Sequence, residues 1–194
     1  MKTFIFTFLL FLGLWSSSFA QKVSPFELNN LNSNGVFSLE DYNKAKAVVL
    51  IFTTNGCPFA KLYDERIIQL QQKFGPQGFQ FAMINPHINM EEEESTKAIK
   101  AKIDNKNITF PYLVDDQQKI SRQLGISKIP QAVVIQPSPT GFSIVYSGAI
   151  DNNPQLPEQA SQKHLANALR EISEGNSPSL SNTRPVGCNI EWKE

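Results

Sequence analysis

Cys57 and Cys188 are the only two thiols among 194 residues, and the first stands where a thiol becomes reactive. The run Ala47-Val48-Val49-Leu50-Ile51-Phe52 has the unbroken, β-branched character of a strand buried on both faces. Thr54-Asn55-Gly56 then turns the chain, and Pro58 suits the first position of a helix. Leu62, Ile67, Ile68, Leu70 and Phe74 give that helix an apolar stripe before Gly75 ends it. A thiol at a helix N-terminus faces unpaired N–H groups and the positive end of the helix dipole, so its thiolate is favoured. Lys61, one turn on, adds positive charge. The alternative is a buried structural cysteine, and the strand, turn and helix placement favours the reactive thiol over it.

The rest of the chain reads as one domain with trimmings, large enough to bury a core without metal or several disulfides. Lys and Arg total 18 and Asp and Glu total 18, which leaves no electrostatic footprint for nucleic acid or an acidic membrane surface. Lys2, the apolar stretch Phe4 to Trp15, and Ser18-Phe19-Ala20 read as a signal peptide over residues 1–20, with the mature chain starting at Gln21. A membrane anchor is the competing reading, but the stretch is short for a span and its Ser-rich exit resembles a processing site. The expectation is export to a periplasmic or extracellular space, where disulfides persist, and no membrane association after cleavage.

A polar leader over 21–36 precedes the expected domain at 37–174, and 175–194 forms a linker and a cysteine-containing tail. Ser38 to Tyr42 reads as a short capped helix, and the helix Pro58 to Phe74 leads through Gly75-Pro76-Gln77-Gly78 into a second strand, Phe79 to Ile84. This βαβ start predicts a parallel strand pair. Glu91 to Glu94 opens a helix with Lys97, Lys100 and Lys102 at its far end, a pattern of solvated charge rather than of a metal-binding cluster. Thr109 to Asp115 is extended, Gln117 to Leu124 helical, Ala132 to Ile135 and Phe142 to Tyr146 a β-hairpin, and Gln159 to Ile172 a closing helix.

That order of elements, with Ile129-Pro130 just before the hairpin, resembles the thioredoxin fold over roughly Phe37 to Glu174, with extra helical material before the hairpin as in its peroxiredoxin-like branch. The resemblance is closest to a peroxiredoxin-like, AhpC/TSA-related redoxin family. It rests on Cys57-Pro58-Phe59 followed by Lys61 and Arg66, on Ile84-Asn85, on Asp151-Asn152, and on the terminal Gly187-Cys188-Asn189-Ile190-Glu191-Trp192. It implies an α/β fold, a three-layer α/β/α sandwich with a mixed central sheet, and a cis Ile129–Pro130 bond across from Cys57. It also implies redox chemistry on peroxide or on protein disulfides and thiols, with an external thiol reductant and no cofactor. Where thioredoxins carry a second cysteine three positions after the first, this chain has Ala60, which excludes local dithiol exchange. Thr54 matches the threonine that peroxiredoxins place three before their reactive cysteine. Leu50 replaces their proline, and Arg66 lies on the cysteine helix rather than on a later strand.

A lone thiolate attacks a peroxide to give a sulfenic acid, or a disulfide to give a mixed disulfide, and either product needs a second thiol. Cys188 is the only internal candidate. The linker from Gly175 to Gly187 extends about 3.3 Å per residue, roughly 40 Å in all, which is enough to bring the tail back over a small domain. Thr54 has two readings, a hydrogen bond to the thiolate or a peroxide oxygen, and a cap on the cysteine helix. Pro130 shapes a substrate groove with an open backbone edge, or merely sets a turn. Trp192 docks the tail on an apolar patch or hangs in solvent. His87, at a strand end, reads as a solvated loop residue and His164 as part of a polar helix. With the two cysteines they lack metal-ligand spacing, which disfavours copper or zinc delivery. Two functions remain. One is an exported oxidoreductase with Cys57 as nucleophile and Cys188, or an outside thiol, resolving it. The other is a non-catalytic binding module held by a structural Cys57–Cys188 disulfide, worth about 2 to 4 kcal/mol by loop closure.

Overall fold

The computed structural model describes residues 21–194, so the expected signal peptide lies outside the described residues. The chain folds around one mixed sheet of eight strands: β1 (Lys22–Val23), β2 (Glu27–Asn30), β3 (Gly35–Ser38), β4 (Ala47–Phe52), β5 (Phe79–Asn85), β6 (Tyr112–Val114), β8 (Gln131–Ser138) and β9 (Gly141–Gly148). Their order across the sheet is β1-β9-β8-β4-β5-β6-β2-β3. The helices are α1 (Pro58–Phe74), α2 (Thr96–Asn105), α3 (Lys119–Gln123) and α4 (His164–Ser173). A separate two-stranded piece joins β7 (Lys128–Ile129) to β10 (Cys188–Asn189) in antiparallel register.

β4 is central because both of its faces are apolar, and all six of its residues are buried. Its odd-numbered residues Ala47, Val49 and Ile51 face one core with Tyr63 and Ile67 of α1, Ile99 and Ile103 of α2, and Leu165 and Leu169 of α4. Its even-numbered residues Val48, Leu50 and Phe52 face the other with Phe26, Phe37, Leu39, and Ile120 near the start of α3. This period-two division makes a three-layer α/β/α sandwich. β4 pairs parallel with β5 through Ala47↔Phe79 to Phe52↔Ile84, and antiparallel with β8 through Val48↔Ile135 to Phe52↔Gln131. The parallel pair and the hairpin agree with the sequence reading.

Three segments differ from it. The expected leader at 21–36 enters the sheet at both edges, β1 pairing with β9 and β2 pairing with β6 and β3. Strands of two to four residues at a sheet edge show too little alternation to stand out from a polar coil. The helix expected to open at Glu91 starts instead after Ser95, whose hydroxyl accepts the Ala98 N–H at 3.2 Å, while Glu92–Glu94 form a separate 3₁₀ turn. The expected linker runs along the surface of the domain. Ser147 donates its N–H to Ser181, and the Thr183 N–H returns to the Ser147 carbonyl at 3.1 Å. The Thr183 hydroxyl also accepts the Ala149 N–H at 3.0 Å and lies 2.7 Å from the Tyr146 hydroxyl. A Cβ at Gly148 would sit 2.3 Å from the Thr183 carbonyl oxygen, so glycine permits this crossing. Among the described residues, no helix is long and apolar enough to cross a membrane.

Candidate functional site

β4 ends at Phe52, and Thr53 extends the pairing by donating its N–H to the Ile84 carbonyl at 2.9 Å. The chain then turns into α1 with Cys57 in an extended conformation at its N-cap and Pro58 at its first turn. The sequence places the cysteine there because proline needs no hydrogen-bond partner at this position and presets the helical φ. Cys57 is 4% exposed and bonded to Cys188 with an S–S distance of 2.05 Å and a Cα separation of 6.0 Å. The two thiols of the sequence are thus brought together over 131 positions.

Ile129–Pro130 is a cis peptide bond, and the Ile129 carbonyl oxygen lies 3.3 Å from Cys57 Sγ. Pro130 therefore sits across from the head of α1, as the resemblance implies. The backbone edge beside it is occupied: Cys188 pairs with Ile129 and Asn189 with Lys128. The approach is close enough that a Cβ on Gly187 would lie 1.9 Å from the Ile129 oxygen. Glycine before the second cysteine is a steric condition for seating it.

A cleft of about 160 Å³ opens beside the disulfide, bordered by Thr54, Cys57, His87, Glu94 and the tail residues Cys188 and Glu191. Thr54 is 1% exposed and lines this cleft. Lys61 points away, its ammonium 3.8 Å from the exposed Glu93 carboxylate. The acidic run instead delivers one buried member: Glu94 accepts the Gly56 N–H at 2.6 Å and the Asn85 side-chain amide at 2.7 Å. That fixes the turn preceding Cys57 from the far side of the cleft. An acidic run ahead of a helix carries no local sign that its last carboxylate points inward.

His87 is not a solvated loop residue. Its backbone N–H donates to Asn85 Oδ1 at 2.8 Å, and its Nε2 accepts the Glu191 N–H at 2.9 Å. Burial pushes the imidazole below its ordinary pKa, against the opposing pull of Glu94, Glu191 and Glu91, and the neutral ring is the form that accepts this hydrogen bond. His164, at the first turn of α4, lies away from this cleft. Trp192 does not dock on an apolar patch: its ring lies under the Arg122 guanidinium at 4.3 Å, and Ile190 is the tail residue that enters the core. Arg66 reaches Asp151 at 2.7 Å, and Asp151 also accepts the Tyr63 hydroxyl at 2.8 Å. The sequence motifs are thus joined in space, Cys57 to Cys188 and Arg66 to Asp151, with Asn85 between His87 and Glu94. Among the described residues, no group of three His, Cys, Asp or Glu side chains is placed to hold a metal ion.

The model of the AhpC/TSA family matches residues 19–144, a span that includes β1 to β3. No curated protein matches the chain. An uncharacterized conserved protein from Geobacillus kaustophilus is 26% identical, with a TM-score of 0.80 over 90% of this chain and 92% of that one. A hypothetical protein from Sinorhizobium meliloti is 23% identical, with a TM-score of 0.79 over 90% of this chain and 94% of its own. A secreted Mycobacterium tuberculosis disulfide oxidoreductase homologous to E. coli DsbE shares the fold at 18% identity and a TM-score of 0.51, over 77% of this chain and 95% of that one.

Proposed function

This chain belongs to the AhpC/TSA family, and we propose that it is an exported thiol–disulfide oxidoreductase in which Cys57 is the nucleophile and Cys188 the resolving thiol. The observation that carries this reading is the Cys57–Cys188 bond at the head of α1, against the Ile129 carbonyl and beside Pro130. In the reduced state the head of the helix favours the Cys57 thiolate. That thiolate attacks one sulfur of a substrate disulfide, forming a mixed disulfide and releasing the other sulfur as a thiolate. The Cys188 thiolate then attacks Cys57 Sγ, expels the second substrate thiolate and closes the internal bond. An external thiol reductant reopens it. Thr54 lines the place where the incoming sulfur must lie, and Pro130 follows Ile129, whose carbonyl lies 3.3 Å from Cys57 Sγ. Glu94 is a positioning residue that holds the Gly56 turn.

Disulfide exchange is preferred to peroxide reduction because the groove by Cys57 already holds an extended cysteine-bearing strand, whereas Leu50 and the Asp151-bound Arg66 depart from the peroxidase pattern. The test mixes the reduced mature protein and its Cys57→Ser and Cys188→Ser variants with a model disulfide and with peroxide, and follows both thiols by mass spectrometry. Cys57→Ser should abolish exchange, and Cys188→Ser should accumulate a mixed disulfide at Cys57. Oxidation of Cys57 by peroxide alone would move the assignment to a peroxidase. A bond with a reduction potential well below about −300 mV and no exchange in either assay would make it a structural staple in a binding module.

A further inference from the structure

The disulfide is only the first of several holds on the tail, and the others grip its main chain. Gln118, fully buried and in the left-handed region at φ 54°, donates its side-chain amide to the Glu191 carbonyl at 2.7 Å and accepts the Lys193 N–H at 2.7 Å. His87 Nε2 accepts the Glu191 N–H at 2.9 Å. β7 supplies the pairing at Cys188 and Asn189. None of these contacts depends on which side chains the occupant carries. Others do: Ile190 fills an apolar recess, Asn189 Oδ1 accepts from the Lys128 ammonium at 2.6 Å, the Lys193 ammonium donates to the Asp116 carbonyl at 2.9 Å, and the guanidinium of Arg122 covers the ring of Trp192, four positions after the cysteine.

When the Cys57–Cys188 bond exchanges with a substrate, the covalent tether of the tail opens at the place where the substrate sulfur must enter. If the tail leaves, one N–H and the oxygen of the Gln118 amide and the ring nitrogen of His87 lose their protein partners while the other amide N–H stays on the Pro86 carbonyl at 3.0 Å, so the cleft presents a fixed set of hydrogen-bonding groups that another main chain can take up. We propose that the tail is a stand-in occupant, and that the cleft from Ile129 through His87 to Gln118 binds an extended, cysteine-bearing segment of another polypeptide, with an aromatic side chain four residues after its cysteine lying under Arg122. This rests on the oxidoreductase reading and names its substrate class. The chemistry balances: in the reverse of the resolving step, the thiolate of the bound segment attacks Cys57 Sγ of the oxidised chain, a new S–S bond forms, and the Cys188 thiolate leaves with the tail and takes up a proton.

The test uses the full chain carrying Cys188→Ser, with Cys57 first converted to its mixed disulfide with N-acetylcysteinamide. Exchange with the peptide Cys-Asn-Ile-Glu-Trp-Lys is then read as an equilibrium constant by mass spectrometry. Recognition through the cleft should favour the peptide over N-acetylcysteinamide by about tenfold or more, the size expected from a few net hydrogen bonds and one stacked ring. Replacing the peptide's tryptophan by alanine, or N-methylating its glutamate, should each remove several-fold of that preference without touching the protein's fold. Gln118→Ala should bring the constant close to one, and the exposed contact can be probed separately with Arg122→Ala. An equilibrium constant near one for the unmodified peptide, or one indifferent to both peptide changes, overturns the cleft while leaving the oxidoreductase reading intact. Failure of Cys57 to form any mixed disulfide removes both.

Discussion

At the scale of single residues, His87 links the site to pH. Burial lowers its pKa below the ordinary 6.5, outweighing Glu94, Glu191 and Glu91, while Lys193 adds to the lowering. Between the depressed value and about 6.5 the folded protein binds fewer protons than the unfolded chain, so stability rises with pH across that window. The contribution is complete above about 6.5 and is lost as pH falls through the folded value. Protonation also removes the acceptor that holds the Glu191 N–H. Trp192 is the only tryptophan after residue 20, so its fluorescence in the mature protein should shift on acidification below about pH 6.5. The shift should vanish in His87→Gln, and a flat profile in the native sequence would remove His87 as the latch. Arg66 gives a second residue-scale prediction: Arg66→Ala strands the Asp151 carboxylate, 7% exposed, and should cost about 3 to 5 kcal/mol in denaturant unfolding. Cys57 is legible in the sequence from its place between strand and helix, whereas Arg66 is singled out only through the family resemblance and its partner Asp151 lies 85 positions away. Glu94 and Gln118 are not legible, since a charged run and a glutamine before a short helix acquire their roles only through distant partners.

Among the elements, β10 is the one whose existence depends on a missing side chain. Gly187→Ala would place a methyl group 1.9 Å from the Ile129 oxygen, so the strand cannot seat without moving the backbone of β7. Disulfide closure from the reduced protein should slow by about tenfold or more, a cost of roughly 1.4 kcal/mol or above in the barrier, measured by quenched alkylation over time. Closure at the native rate would show that the tail reaches Cys57 without pairing to β7. The central elements were readable: β4 from its unbroken apolar run, α1 from its proline start and glycine stop, and the hairpin from its turn residues. β1, β2 and β10 were not, because two to four residues carry too little periodicity and their pairing partners lie far along the chain.

For the molecule as a whole, the disulfide closes a loop spanning 131 positions that takes in α1 to α4 and the strands from β5 onward, while β1 to β4 lie before it. Reduction should therefore lower global stability by about 2 to 4 kcal/mol, read as a change in denaturant midpoint at constant slope. A change in slope instead would mean that the reduced form has loosened its native packing as well. The three-layer architecture was legible because its core strands and helices follow simple periodicities. The course of residues 175–187 was not, because a run rich in Gly, Asn, Ser and Pro has the composition of a free linker whether or not it is held.

Thr183 changes what that run does kinetically. Pinned to Ser147, Ala149 and Tyr146, it divides the tail into a fixed part and a short free arm. Cys188 lies only five positions after Thr183, so the resolving sulfur swings on a leash of about 17 Å instead of roughly 40 Å. A thiol confined to so small a volume has an effective concentration in the millimolar range or above. The second step of exchange then outruns bystander thiols at micromolar levels by sheer encounter frequency. Mixed disulfides at Cys57 become short-lived by construction, and lengthening the leash is the direct way to make them last.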